Sequence, residues 1–321
     1  MHLFSRLFTR KISIKYSVKF LQLYLLLIII NGSISTGSAE PTLNNRLALQ
    51  VLGSGGPETQ TKRASSSYLI WLDGKARVLI DSGGGSALRF GESSAQMADL
   101  DLVLLTHFHV DHTADLPALI KSSYFETRNK PLPVFGPVGN AAFPSAVEFI
   151  QSLFGPNGAY RYLSDFLQPQ SANYSIQPNN VALKDAQLKT VFNQNGIKVT
   201  AANVQHGSVP ALAWRVEIAG KSIVFSGDTN GKGDNLALLA NGADIFVAHN
   251  AVPERAVGAA RSLHMTPSVI GKIAAGAKVK QLVLSHRMLR TLGKESETLQ
   301  AIALQYAGKP AFANDLDFFY P

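Results

Sequence analysis

The stretch Thr106-His107-Phe108-His109-Val110-Asp111-His112 sets three imidazoles and a carboxylate within six residues, directly after the apolar run Leu102 to Leu105. A short continuous apolar run reads as a strand buried on both faces, so the cluster falls on a loop at that strand's carboxyl end. Packing gives no reason to crowd imidazoles against an acid. A metal ion does, because neutral imidazole and carboxylate are its natural donors. In an extended segment His107 and His109 point to one side, and the turn that follows swings Asp111 and His112 to the other, so two neighbouring metal positions are expected. The 321 residues contain no cysteine, which removes disulfides, thiolate ligands and a cysteine nucleophile.

Four local ligands do not complete two sites, and the remaining donors are sought where the cluster itself sits, at the ends of apolar strands. His206 follows Val199 to Val204, Asp228 follows Ile223 to Phe225 in Phe225-Ser226-Gly227-Asp228-Thr229, and His286 follows Leu282 to Leu284. Polar residues often end strands, so none of the three is decisive alone. Their shared placement is.

Working outward, Arg46 to Leu52, Ser67 to Leu72 and Ala76 to Ile80 read as an opening antiparallel sheet, the last two joined around Asp73-Gly74. The turn Gly53-Ser54-Gly55-Gly56-Pro57 is no dinucleotide fingerprint, because Pro57 stands where a helix should begin. Ala114 to Lys121 and Ala141 to Phe154 read as helices, Leu132 to Phe135 as a strand, and Gly155 to Asn195 as an irregular surface insertion. The second half repeats the style, with strands at Ile197 to Val204, Leu212 to Ile218, Ser222 to Phe225, Ile245 to Ala248 and Gln281 to Leu284. Helices are expected at Pro267 to Ala275 and Glu295 to Tyr306. Two halves, each of sheet followed by helix, predict two sheets packed face to face with helices outside.

Arg6, Arg10, Lys11, Lys15 and Lys19 precede a charge-free run from Phe20 to Ile30 and the small residues Gly37-Ser38-Ala39. That order predicts a signal peptide over residues 1–39 and a periplasmic or secreted mature domain over 40–321. The apolar run is too short to span a bilayer. The formal charge of +8 falls to +3 without those five cations, which argues against nucleic acid as a partner.

The histidine motif, with Leu52-Gly53-Ser54-Gly55-Gly56, Ser65-Ser66-Ser67, Arg128 to Pro137 and His264-Met265-Thr266-Pro267, resembles the metallo-β-lactamase superfamily, in its ribonuclease Z and arylsulfatase-like branch. The resemblance runs from about Leu47 to His286. It implies an α/β fold, the four-layer αββα sandwich, carrying two divalent ions, with zinc favoured and manganese or iron as alternatives. By it, His107, His109 and His206 hold one ion, Asp111, His112 and His286 the other, and Asp228 bridges them. Asp81 supports the histidine loop. Asp111 and His264 are the catalytic candidates, His264 as proton donor to the leaving oxygen.

The family segment at Ala248-His249-Asn250-Ala251 normally carries glutamate where Asn250 stands, and the role of His249 stays open between structural and supporting. The resulting expectation is an exported phosphodiester or sulfate ester hydrolase using a metal-bridging hydroxide. Its partners are a small-molecule ester and, through apolar helices such as Ala114 to Lys121, a second copy of the chain. The alternatives are tRNA 3′-end processing and a non-catalytic metal-binding scaffold.

Overall fold

The structure is a computed structural model that describes residues 46–168, 172–183 and 187–321. The expected signal peptide lies outside the described residues. Strands β1 (Leu47–Gly53), β2 (Ser67–Leu72) and β3 (Lys75–Ile80) are antiparallel neighbours, and β4 (Leu102–Leu104), β5 (Leu132–Pro137) and β6 (Ile176–Val181) continue their sheet in parallel. In the second sheet β7 (Leu188–Gln194), β8 (Ile197–His206), β9 (Val209–Ile218) and β10 (Lys221–Phe225) are antiparallel. There β11 (Ile245–His249), β12 (Gln281–Ser285) and β13 (Ala311–Phe312) add in parallel. The last strand, β14 (Phe318–Phe319), returns to the first sheet and pairs with β1. Between β13 and β14 the Asp315 carboxylate accepts hydrogen bonds from the Ser54 and Ala64 amides and from the Ser54 hydroxyl.

The apolar strands divide by parity, as a period of two requires. Leu49, Val51, Tyr68, Ile70, Val78, Ile80, Leu102 and Leu104 face Trp214, Phe225, Val247 and Val283 in the core between the sheets. The alternate residues of the first sheet, Leu52, Leu69, Leu79 and Val103, pack outward against helices α1 (Ser86–Glu92), α3 (Leu116–Ser122) and α4 (Ala146–Phe154). In the second sheet Val224, Phe246, Ala248, Leu282 and Leu284 meet α5 (Asn235–Ala240), α7 (Pro267–Gly276) and α8 (Glu295–Ala303). Continuous apolar strands are thus strands with a core on each side, and the four-layer αββα sandwich is the fold.

Several boundaries differ from the sequence reading. The helix expected from Ala141 starts at Ala146, because Ser145 caps it: the Ser145 hydroxyl accepts from the Glu148 amide at 3.3 Å and the Glu148 carboxylate accepts from the Ser145 amide at 2.8 Å. The helix expected over Ala114 to Lys121 starts two residues later as α3, with Pro117 in its first turn, and a separate single turn, α2 (Val110–Thr113), precedes it inside the motif. The 155–195 stretch is more than a surface insertion. It supplies the edge strands β6 and β7 and buries Leu163 and Phe166. Edge strands are held by backbone pairing along one side, so their side chains need not alternate cleanly.

Arg128 is a buried cation without a carboxylate partner, and it ties the approach to β5 together. Its guanidinium donates to the carbonyls of Met97 (2.6 Å), Leu100 (2.8 Å) and Pro131 (2.6 Å) and lies 5.0 Å from the Tyr174 ring centroid. Arg128→Leu leaves three interior carbonyls without donors. The expected cost is about 2–5 kcal/mol in denaturant unfolding; a loss under about 1 kcal/mol would show that water replaces the guanidinium.

Candidate metal centre

Strand direction makes this site. β8 is antiparallel to β9 and β9 to β10, so β8, β10, β11 and β12 run the same way, and their carboxyl ends share one edge. That edge carries His206 at the end of β8, Asp228 after β10, His249 at the end of β11 and His286 after β12. From the first sheet, Asp81 follows β3 and the 106–112 loop follows β4. Ligand sites form at such carboxyl edges because loops of several parallel strands meet there. The chain has eight histidines, and all seven among the described residues stand here.

The expected donors stand close together, and His249 and His264 join them in the groups able to hold an ion. The ligand nitrogens of His107, His109 and His206 lie within 4.8 Å of one another. On the other side His286 Nε2 is 3.2 Å and His112 Nε2 3.6 Å from Asp111 Oδ2. Asp228 stands between the sets, its Oδ2 3.7 Å from His206 Nε2 and 3.8 Å from His112 Nε2.

The orientation of the rings fits metal ions. His112 Nδ1 is 2.8 Å from Asp81 Oδ2 and His206 Nδ1 is 3.0 Å from the Leu263 carbonyl, so each Nδ1–H donates outward and, in the neutral ring that binds a metal, Nε2 carries a lone pair turned inward. The inward Nε2 atoms of His107 and His112 are buried without a hydrogen-bond partner, which is costly unless a cation takes them up.

Backbone and glycine make the convergence possible. Asp81 and His286 both hold left-handed φ values of 54°, a conformation that costs energy in non-glycine residues and persists where the surroundings impose it. Gly56 lies against the His286 ring, where an added Cβ would come within 2.6 Å of Cε1. Asp81 also anchors the motif loop, accepting from the Thr106 amide at 2.7 Å and hydroxyl at 2.8 Å.

The site's own electrostatics follow from this crowding. For Asp111 burial acts upward, but His112 and His286 outweigh it and hold the carboxyl at about 2. Burial likewise opposes ionisation of Asp228, yet His286, the His249 hydrogen bond and His112 keep it well below the usual carboxylate range. His107 is held neutral by burial and by neighbouring imidazoles. His112 goes the other way: burial is outweighed by Asp81 and Asp111, and its pKa rises to about 10.

His264 caps the end of α6 (Gly258–Leu263), and its Nδ1 is 3.8 Å from Asp228 Oδ2. Burial chiefly lowers its pKa to about 3. His249, whose role the sequence left open, groups with His112, Asp228 and His286. Its Nδ1 is 2.8 Å from Asp228 Oδ1 and its Nε2 3.0 Å from the Tyr68 hydroxyl. Tyr68 was missed because its strand reads as plain core. A tyrosine on the inward parity of an apolar strand is a signal in itself, since its hydroxyl needs a partner. Asn250 is buried with an unpartnered amide.

The sequence profile described as a beta-lactamase superfamily domain matches residues 76–287. Ribonuclease Z of Mycobacterium bovis (strain BCG / Pasteur 1173P2) is 29% identical over 283 residues, 84% of this chain and 96% of that protein. Ribonuclease Z of Mycobacterium sp. (strain KMS) is 30% identical over 253 residues, 75% of this chain and 84% of that one. Among solved structures, the metallo-beta-lactamase fold protein YhfI from Bacillus subtilis superposes with TM-score 0.67 at 19% identity, covering 86% of this chain and 100% of its own. Human tRNase Z, short form, gives 0.65 at 20%, covering 85% and 99%; at such identities the likeness is one of fold.

These relatives overturn the expected exported hydrolase of small phosphate or sulfate esters, and with it the small-molecule partner and the exclusion of nucleic acid. The arylsulfatase half of that expectation finds no support in them. Whole-chain charge misleads here, because capture of a phosphate depends on the local field, to which cations held by such donors would contribute most.

Among the site histidines with shifted pKa values, His112 and His286 are raised, and His107, His109, His249 and His264 are lowered. The lowered group differs from the unfolded chain only below about pH 6.5. The raised pair stabilises the metal-free fold fully below about pH 6.5, and that stability is lost as pH climbs through the His112 value of about 10. Chelator-stripped protein should therefore lose thermal stability between those limits. In zinc-reloaded protein that loss should be absent over the same interval, because binding has already displaced those protons. A Tm independent of pH in the stripped protein would refute a protonated His112.

Proposed function

The chain belongs to the beta-lactamase superfamily of metallo-hydrolases, and from that premise we propose that it is a ribonuclease Z-type endonuclease that processes the 3′ end of tRNA precursors. The relatives that cover most of its length carry the name ribonuclease Z. The observation that carries the reading is the position of Asp228, one carboxylate oxygen 3.7 Å and 3.8 Å from histidines of two separate sets. A carboxylate so placed is suited to a pair of ions, which is what phosphodiester cleavage by in-line displacement uses.

His107, His109 and His206 would hold one ion, Asp111, His112 and His286 the second, with Asp228 shared. A donor set of nitrogen and oxygen alone suits zinc, and its carboxylates also admit manganese or iron. When bound, such ions would activate water for attack and neutralise charge on the phosphate oxygens.

The protein's residues do the rest. Asp81 holds Thr106 and the His112 ring, so the motif loop does not reorganise as charge develops. The buried walls exclude bulk water and strengthen each electrostatic contact. His264, whose Nδ1 is 3.8 Å from Asp228 Oδ2, would protonate the departing ribose oxygen. Its low pKa in the free protein rises when a phosphate monoanion lies next to it, since an opposite charge favours the imidazolium.

Metal-loaded protein incubated with a tRNA precursor bearing a 3′ trailer should release the trailer by a single endonucleolytic cut and lose that activity to chelator. Hydrolysis of bis(p-nitrophenyl) phosphate with no cut in the precursor would overturn the tRNA reading and leave the phosphodiesterase chemistry standing. His264→Ala should lower kcat by about 10²–10⁴-fold while two metal equivalents remain bound, as read by metal analysis of the purified variant.

A further inference from the structure

One buried chain of hydrogen bonds crosses the sandwich and ends on Asp228. Tyr68 lies on β2 of the first sheet, while Ser285 and His249 end β12 and β11 of the second. The Tyr68 hydroxyl is 2.8 Å from Ser285 Oγ and 3.0 Å from His249 Nε2, and His249 Nδ1 is 2.8 Å from Asp228 Oδ1. All four side chains are buried.

The protons in this chain can be assigned. An ionised carboxylate only accepts, so His249 Nδ1 carries hydrogen toward Asp228. A neutral ring then presents a lone pair at Nε2, and the hydroxyl that meets it is that of Tyr68. Tyr68 has one hydrogen and two acceptors within its reach, Ser285 Oγ and His249 Nε2; the nitrogen, whose lone pair meets no other donor, takes it. Each hydrogen is used once. Both nitrogens of His249 are then occupied, and none remains for a cation despite its place among His112, Asp228 and His286.

We propose that Tyr68 is a positioning residue: its hydroxyl fixes the Nδ1–H tautomer of His249, and through it locks the Asp228 carboxylate with Oδ2 turned toward both histidine sets. This rests on the reading of Asp228 as the shared ligand. Packing alone does not ask for the hydroxyl. The Tyr68 ring lies 5.3 Å from Phe225 between the sheets, where a phenylalanine would fill the same space without a polar group to satisfy. The same carboxylate oxygen that takes the His249 bond also lies 3.4 Å from His286 Nε2, so a rotated Asp228 would disturb both halves of the centre at once.

The test is Tyr68→Phe in the full-length protein beside Asp228→Asn. Zinc affinity by chelator competition should fall about tenfold in Tyr68→Phe, and kcat on bis(p-nitrophenyl) phosphate by a similar factor with KM unchanged. A variant that is only less stable in denaturant, with affinity and kcat at wild-type values, overturns the proposal. In the unmodified protein, nitrogen-15 NMR should show His249 protonated at Nδ1 and bare at Nε2; hydrogen on Nε2 overturns it even if the variant does not fold. Should Asp228→Asn keep full zinc affinity, the ligand reading itself fails, a result separate from a silent Tyr68→Phe in a protein whose Asp228→Asn has lost metal.

Discussion

Lone pairs that face one another across a dry space repel, and the centre of this molecule forces seven such side chains together: His107, His109, Asp111, His112, His206, Asp228 and His286. Positive charge is the physical remedy, either protons, as on His112 in the empty state, or cations. Much of the surrounding structure serves to keep these groups from relaxing apart. Asp81 and the Leu263 carbonyl pin two rings by their outer nitrogens, left-handed backbone turns Asp81 and His286 inward, and Gly56 yields its side chain to an imidazole. The sheets supply the common edge; the loops supply the strain.

Much of the fold was legible because it follows from simple periodicity. Runs such as Leu102 to Leu105 and Leu282 to Leu284 are apolar at every position, and in the structure each divides its residues between two cores. The density of the 106–112 motif pointed to metal binding, and strand-end placement picked out His206, Asp228 and His286, which the structure brings beside it. Less was readable where a residue's meaning depends on a distant partner. His249 stood open because it is defined by Tyr68, 181 positions earlier, and Asp228, 21 positions earlier. The edge strands β6 and β7 hid in a polar stretch because backbone pairing, rather than side-chain pattern, holds them. The short helices α1, α5 and α6 carry too few turns to show a period.

Substrate class was the hardest to read from composition. A modest formal charge describes the chain as a polyelectrolyte, whereas a phosphodiester meets one small patch of it. The relatives corrected that inference, and their likeness lies in the whole length of the domain as well as in the motif.

The closing segment of the chain has a bearing on biosynthesis. β13 adds to the second sheet and β14 to the first, with Asp315 between them gripping the loop after β1. As the polypeptide leaves the ribosome, β1 emerges early but keeps one hydrogen-bonding edge bare until residues near 319 follow. A bare edge is where nascent chains stick to one another. Covering that edge therefore joins segments far apart in sequence, and β1 stays unprotected on that side until β14 pairs with it.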